Sequence, residues 1–324
     1  MGRMHRCSRI APSPTGPLHL GNACTVLVNW ALARNVGWRL VLRIEDLDRD
    51  RAAAAGDTAT EQTLEWLGID HDGPAVRQSA RLDLFRDAMR RLAAAGLTYE
   101  SPHSRSEVRE AALALGAPHD ADAAPPFPAS LRPPPGPAWR FAREDVNHRL
   151  RVDPGTERVL DEVAGARAFE PSREGGDFLV CTKAGFPSYQ LAVTVDDADQ
   201  GVTDVVRGDD LLPSAALQSI LHRALGHRPP AWWHLPLVLD AEGRRMAKRD
   251  GALSLASLRA AGADPARVRG LVASWIGALG APAPLDAARF RSLVTPDTLR
   301  AWHGRARSAP PRLEPRNAEW LLAS

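Results

Sequence analysis

The chain has 324 residues, 44% of them hydrophobic and 25% charged, which is ordinary for a globular protein of about two domains and excludes a disordered or fibrous polymer. A formal net charge of +2, from 41 basic and 39 acidic residues, neither requires nor excludes a polyanionic partner, because a basic groove can be offset by acid elsewhere. No apolar run approaches the roughly 18 residues of a membrane span, and Cys7, Cys24 and Cys181 are too sparse for a disulfide framework. The stretch Met1–Ile10 lacks the apolar centre of a secretory leader. The expectation is a monomeric, cytoplasmic protein with reduced thiols and no membrane partner.

The first informative stretch, Arg9 to Asn22, leaves a short apolar strand, passes a turn rich in proline and glycine, and enters a helical pattern through Val26, Leu27, Trp30, Ala31 and Ala33. A strand, a tight turn and a helix N-terminus gather free backbone N–H groups and the positive end of a helix dipole, which is a phosphate-handling geometry. His19 would donate there to phosphate oxygens. Gly21, without a Cβ, would let a flat ring or a sugar approach the backbone. Neither the P-loop nor the dinucleotide fingerprint is written here.

Next, Trp38–Ile44 reads as a buried parallel strand ending in Glu45-Asp46-Leu47-Asp48, and carboxylates at a strand's carboxyl end can face a site. A surface cluster with Arg43, Arg49 and Arg51 is the other reading of that tetrapeptide. Asp57–Gly68 and Ser79–Gly96 are amphipathic helices, the second carrying Leu82, Leu84, Phe85, Ala88, Met89 and Leu92 at helical spacing, and a structural role fits both. Ala124–Pro137 is a proline-rich loop, and Trp139–Thr182 breaks into short extended pieces ending in a strand at Asp177–Cys181. Arg140, Arg143, Arg149 and Arg151 fit phosphate tracking and a solvated charged face equally well.

Tyr189 opens a helix after Phe186-Pro187-Ser188, and a strand through Val205 and Val206 delivers Arg207, Asp209 and Asp210 at its carboxyl end. A guanidinium pairs bidentately with a carboxylate, so Arg207 suits an acidic substrate side chain. Leu211–Gly226 reads as a helix and His234–Leu239 as a strand, followed by the basic run from Arg244 to Arg249. Ser254 to Gly280 yields one or two helices, and a Pro/Arg-rich tail with Trp302 and Trp320 closes the chain.

Four of these phrases, in this order, resemble the class I aminoacyl-tRNA synthetases, specifically their glutamyl/glutaminyl branch. His19-Leu20-Gly21-Asn22 resembles the "HIGH" signature with Asn22 at its final His, and Ala11-Pro12-Ser13-Pro14-Thr15-Gly16 is the lead-in typical of the branch. Arg245-Met246-Ala247-Lys248-Arg249 resembles "KMSKS", with Arg245 and Ala247 replacing its first Lys and its Ser. The resemblance implies an α/β fold: a Rossmann-like catalytic domain in two halves (1–96 and 183–250), an inserted acceptor-type subdomain (97–182), and a helical C-terminal portion (251–324) without an anticodon-binding domain. It implies ATP-dependent activation of L-glutamate, with Mg²⁺ accompanying the nucleotide. Arg9, Ala11, Ser13, Glu45, Tyr189 and Arg207 would hold glutamate, Glu45 receiving the α-ammonium and Arg207 the γ-carboxylate. His19, Gly21, Asn22, Asp209 and Lys248 would serve ATP, with His19 and Lys248 catalytic and Lys248 neutralising the leaving pyrophosphate.

Without the anticodon domain, the chain is similar to the shortened paralogues that transfer activated glutamate to the queuosine base of tRNA(Asp), which implies that RNA as partner. Those paralogues often carry a zinc ion on a Cys-x-Cys pair, a Tyr and a further Cys. Aligning Tyr99 and Arg105 with that pattern puts Ser101, His103, Phe127 and Leu131 at the four positions. A serine, a phenylalanine and a leucine cannot form a tetrahedral shell, and His103 and His119 read as surface histidines, so no structural zinc is expected. Two other readings stay open: an ordinary synthetase charging tRNA(Glu), and a non-catalytic tRNA-binding module, motivated by Asn22 and Ala247.

Overall fold

The computed structural model describes residues 6–12, 18–48, 59–114, 125–136, 141, 145–246 and 254–323. Strand β1 (Cys7–Ile10), helix α1 (Leu20–Val36) and strand β2 (Arg39–Ile44) form a β-α-β unit, the strands parallel in the register Cys7↔Arg39 to Ile10↔Leu42. β2 then pairs in parallel with the short β3 (Val76–Arg77). α1 is less amphipathic than its sequence implies. Leu20, Ala23, Cys24, Leu27, Val28, Trp30 and Leu32 are all buried, because the helix is packed by the sheet on one side and by C-terminal helices on the other. Gly37, at φ 75°, ends it in the left-handed conformation and donates its N–H to the Ala33 carbonyl.

Helices α2 (Ala59–Trp66) and α3 (Leu82–Ala94) follow, α3 burying Phe85, Ala88, Met89 and Leu92. Strand β4 (Thr98–Ser101) leads to α4 (Arg105–Ala114), and β5 (Asn147–Leu150) to β6 (Glu157–Asp161), β7 (Gly165–Phe169) and β8 (Phe178–Cys181). β4, β5 and β8 make a small antiparallel sheet. β6 and β7, although they lie between β5 and β8 in the chain, leave that sheet: β6 pairs in parallel with a later strand, β10. Helix α5 (Tyr189–Asp199), strand β9 (Asp204–Gly208), helix α6 (Leu212–Ala224) and strand β10 (Ala231–Leu235) complete a second sheet in the order β7-β6-β10-β9. β10 starts three residues before the stretch expected from sequence, because Trp232 and Trp233 favour the strand, and it stops before Pro236, which has no N–H to offer a ladder.

The first sheet and this second, mixed sheet, in which β7 is antiparallel to β6, abut through β1 and β9. The Thr203 N–H donates to the Cys7 carbonyl (2.8 Å) and the Arg9 guanidinium to the Val206 carbonyl (3.2 Å). The strands therefore run β3-β2-β1 and then β9-β10-β6, so the order in which the chain adds strands reverses between β1 and β9. A crevice opens at the carboxyl ends of strands at such a switch point.

What reads as a tail is helical. After α7 (Leu255–Ala260) and α8 (Pro265–Trp275) come α9 (Ala287–Leu293), α10 (Pro296–Ala306) and α11 (Pro315–Leu322). Proline marks the start of three of them rather than disorder, since its missing N–H costs nothing in a first turn. Phe290, Leu299 and Trp302 join the core around α1. Between α10 and α11 the chain pairs with Leu239, whose N–H donates to the Pro311 carbonyl (2.9 Å) while the Leu313 N–H donates to the Leu239 carbonyl (2.8 Å). No helix among the described residues is long and apolar enough to cross a membrane.

The four positions aligned with zinc ligands gather around an aromatic plug. Phe127 is buried with Tyr99 and Val108, Leu131 packs on that cluster, and the His103 ring lies 6.3 Å from the Phe127 ring. The Arg149 guanidinium sits 4.0 Å over the Phe127 ring and donates to the Ser101 hydroxyl. Beside it the buried Asp177 carboxylate accepts from the Tyr99 hydroxyl (2.6 Å), from Nε and Nη2 of Arg132 (2.7 and 2.6 Å) and from the Val152 N–H (2.8 Å). Among the described residues no group of His, Cys, Asp and Glu is arranged to hold a metal ion. His119 lies outside the described residues.

Candidate active site at the switch point

A cleft of about 290 Å³ opens where β1 and β9 diverge. Its lining includes Arg9, Ala11, His19, Gly21, Asn22, Glu45, Tyr189 and Arg207, eight of the residues singled out from sequence. Asp209 is not in the lining; its neighbour Asp210 is, and pairs with Arg245 from the basic run. Burial and the repulsion of Asp210 push the Asp209 carboxyl up to about 6. Ser13 and Lys248 lie outside the described residues, as do Arg140, Arg143 and Ala247.

The α1 end of the cleft is set by a reciprocal cap. The His19 Nδ1 accepts from the Asn22 backbone N–H (3.4 Å), and the Asn22 carboxamide oxygen accepts from the His19 N–H (3.3 Å). With Nδ1 as acceptor, the neutral ring carries its proton on Nε2. Asn22, which departs from the family signature, thus closes a capping box. A Cβ on Gly21 would stand 3.1 Å from the His19 ring, so glycine also leaves that imidazole its place. The chain beyond the basic run returns to the same point, where Ser254 bridges His19 and the Leu255 N–H donates to the Leu18 carbonyl (2.8 Å).

The cleft floor is an ion network. Arg43, fully buried, reaches Asp197 (2.7 Å), Glu45 (3.2 Å) and Asp196 (3.8 Å). Arg9 reaches Asp197 from the other side (3.4 Å), and Arg81 and Gln78 hold Asp196. Burial drives the Glu45 carboxyl upward against the pull of Arg43 and Arg9. For Asp197 the same burial is outweighed by Arg43 and Arg9, and its carboxyl is held below the usual range. Asp46, next to Glu45, serves structure instead, accepting from the Ser79 N–H and hydroxyl. Asn29, which no motif flagged, ties α1 to β1 by donating to the Arg9 carbonyl (2.8 Å) while accepting from the Ser8 hydroxyl. The signal was a lone carboxamide inside an apolar helical stretch.

Arg207 is the contrasting group. It is buried at the carboxyl end of β9, and its three nitrogens donate to neutral acceptors: His234 Nε2 (3.0 Å), Gln218 Oε1 (2.8 Å) and the Leu211 carbonyl (3.1 Å). Among the described residues no carboxylate forms an ion pair with it. Burial lowers the guanidinium to about 10, with Arg9 repulsion adding to the shift and the Tyr189 phenol opposing it. Tyr189 itself, the first residue of α5 behind the Ser188 cap, is exposed at the rim. A buried cation whose hydrogen-bond acceptors among the described residues are all neutral favours an anionic ligand group, while Glu45 across the lining favours a cationic one.

Residues 7–273 match the family described as tRNA synthetases class I (E and Q), catalytic domain. The chain is similar to the glutamyl-Q tRNA(Asp) synthetase of Symbiobacterium thermophilum, at 44% identity over 292 residues, spanning 86% of this chain and 89% of that protein. The glutamyl-Q tRNA(Asp) synthetase of Rhodobacter capsulatus is 42% identical over 275 residues, 82% of this chain and 99% of its own length. In fold it is similar to the crystal structure of glutamate-tRNA synthetase from Elizabethkingia anophelis, with a TM-score of 0.76 at 22% identity, over 98% of this chain and 70% of that one.

Proposed function

The chain belongs to the class I tRNA synthetases of the glutamate and glutamine branch and is a ligase of the glutamate-tRNA type, and on that premise we propose that it forms glutamyl-adenylate without tRNA and transfers glutamate to the queuosine base of tRNA(Asp). The queuosine target rests on the names of the Symbiobacterium and Rhodobacter relatives, which this chain matches over most of their length. The glutamate reading rests on one observation above the others: a buried Arg207 with no carboxylate partner among the described residues, in the same cleft as Glu45.

In this reading Arg207 takes the γ-carboxylate and Glu45 the α-ammonium, with Arg9, Ala11, Ser13 and Tyr189 completing the amino-acid pocket. The α-carboxylate oxygen then bonds to the α-phosphorus of ATP, the bond between the α- and β-phosphates breaks, and its electron pair leaves with pyrophosphate. Positioning and charge neutralisation supply most of the rate. The α1 N-terminus, His19, Gly21 and Asn22 serve the nucleotide from one side, and Asp209 and Lys248 from the other, with Mg²⁺ accompanying ATP. The small sheet β4-β5-β8, within the 97–182 insertion, is assigned to the RNA.

Glutamate-dependent ATP–pyrophosphate exchange without tRNA tests the first half, and acylation of tRNA(Asp) with and without queuosine tests the second. Exchange without tRNA and labelling of only the queuosine-containing RNA are the expected results. Exchange that requires tRNA(Glu) would replace this reading with an ordinary synthetase.

A further inference from the structure

We propose that His234, held by Asp161, is a positioning residue that aims the Arg207 guanidinium into the cleft and, with Gln218, sets the preference for a carboxylate over an amide in the substrate side chain. This rests on the glutamate reading above and concerns residues outside the cleft lining.

The three groups stand on three adjacent strands. Asp161 ends β6, His234 lies on β10 and Arg207 on β9, and the register sets His234 directly opposite Arg207. All three are buried. The Asp161 Oδ2 lies 2.6 Å from His234 Nδ1 and accepts from the His234 backbone N–H, while Oδ1 accepts from the N–H groups of Val163 and Ala164. A carboxylate surrounded by donors stays an acceptor, so the imidazole proton is fixed on Nδ1. Nε2 is left with its lone pair toward the Arg207 Nε–H, 3.0 Å away. The other histidine tautomer would set two N–H groups against each other.

Gln218 is oriented by the same logic. Arg207 can only donate, so the Gln218 oxygen must face it (2.8 Å), and its amide then donates to the Gln190 oxygen (2.8 Å), whose amide donates to the Ser214 hydroxyl (3.0 Å). The Trp232 ring, 4.8 Å from the guanidinium carbon, covers one side of the fork. The plane of Arg207 is therefore fixed, yet every acceptor that fixes it is neutral. Beyond these bonds each terminal nitrogen has one further N–H, with the Tyr189 phenol near them, and among the described residues no carboxylate forms an ion pair with the charge. A ligand carboxylate meets this with two acceptor oxygens and a charge, whereas a ligand amide brings its own N–H₂ against donors.

The test compares His234→Phe, which keeps the ring and removes the acceptor, with His234→Gln, which restores an acceptor near the Nε2 position. Pyrophosphate exchange is measured with glutamate and with glutamine, and folding is checked by circular dichroism. Side-chain recognition made equally in ground and transition states appears in KM, so His234→Phe should raise KM for glutamate about 10–100-fold with a smaller change in kcat. It should also narrow the glutamate-to-glutamine ratio of kcat/KM, and His234→Gln should recover most of both. A folded His234→Phe with unchanged KM and unchanged ratio overturns the proposal. If His234→Phe does not fold, Gln218→Met decides the matter on the same two readouts: a rise in KM with a narrowed ratio upholds the proposal, and no change in either overturns it. A wild-type chain with no glutamate-dependent exchange refutes the glutamate reading and this inference with it, whereas an active wild type with unaffected variants overturns only the inference.

Discussion

Replacing Asp177 by Asn should destabilise the small antiparallel sheet without touching the cleft. Each Asp177 oxygen accepts from two donors: Oδ1 from Arg132 Nη2 and the Val152 N–H, Oδ2 from the Tyr99 hydroxyl and Arg132 Nε. An asparagine must turn its amide nitrogen toward one of those pairs; the better flip faces Tyr99, whose hydroxyl can turn to accept, so the Arg132 Nε bond becomes a donor–donor contact and the Nη2 bond loses its carboxylate charge. At roughly 1.5–3 kcal/mol for the bond lost and about half of that for the one weakened to a neutral acceptor, the loss is about 2–4 kcal/mol. An independent route, removing one partner of a buried ion pair and leaving Arg132 uncompensated, gives about 3–5 kcal/mol. Urea unfolding followed by circular dichroism measures it, and the melting temperature should fall by roughly 3–7 °C for a chain of this length. Pyrophosphate exchange below the melting temperature should persist, because Asp177 is not in the cleft lining. A loss under about 1 kcal/mol, the scale of an ordinary substitution, would refute the view that this carboxylate and the Phe127 plug organise the β4-β5-β8 region.

Arg207→Lys keeps the charge and discards the fork; losing one charge-assisted bond should lower kcat/KM for glutamate by at least about tenfold in steady-state exchange assays. An unchanged value would remove Arg207 from the substrate. Asp209 supplies a pH signature. Its carboxyl is raised to about 6 in the folded chain from 3.8, so between those values the folded state holds more protons than the unfolded one, and this group's contribution to stability falls as pH rises through that window. Asp209→Asn removes the penalty and should stabilise the protein at pH 7 by about 1–2 kcal/mol after allowance for solvent screening, an advantage that fades by pH 4. Paired urea melts at the two pH values check it, and a less stable variant at pH 7 would contradict the assigned sign.

Much of the cleft was legible because its residues sit where local pattern fixes them. Arg9, Glu45 and Arg207 occur at or near strand ends, and His19 and Tyr189 at helix starts, and both kinds of position can be read from periodicity and turn residues. What local pattern cannot encode is which strands become neighbours. His234 and Asp161 gained their place beside Arg207 from the order β6-β10-β9, and β6 sits in a stretch that reads as part of an insertion. Asp196 and Asp197 look like surface acids on a helix until Arg9, Arg43 and Arg81 converge on them from three elements. The C-terminal helices were obscured by composition, since proline and arginine suggest a tail while Phe290 and Trp302, too far apart for one periodic face, supply the burial.

The pairing of Leu239 with residues 311–313 also bears on how the protein is made. Leu237 and Val238 line the cleft, and the stretch beyond β10 that carries them is clamped at Leu239 by a segment translated much later, with Arg312 reaching the Ala241 carbonyl across 71 residues of chain. At roughly 5–20 residues per second on a ribosome, several seconds separate the two halves of that clamp. During that interval the wall beside the basic run has no partner for its edge. Nascent chains paused before residue 311 should therefore expose this stretch to proteases and chaperones, so the synthesis of the C-terminal helices sets the time at which this wall of the cleft is finished.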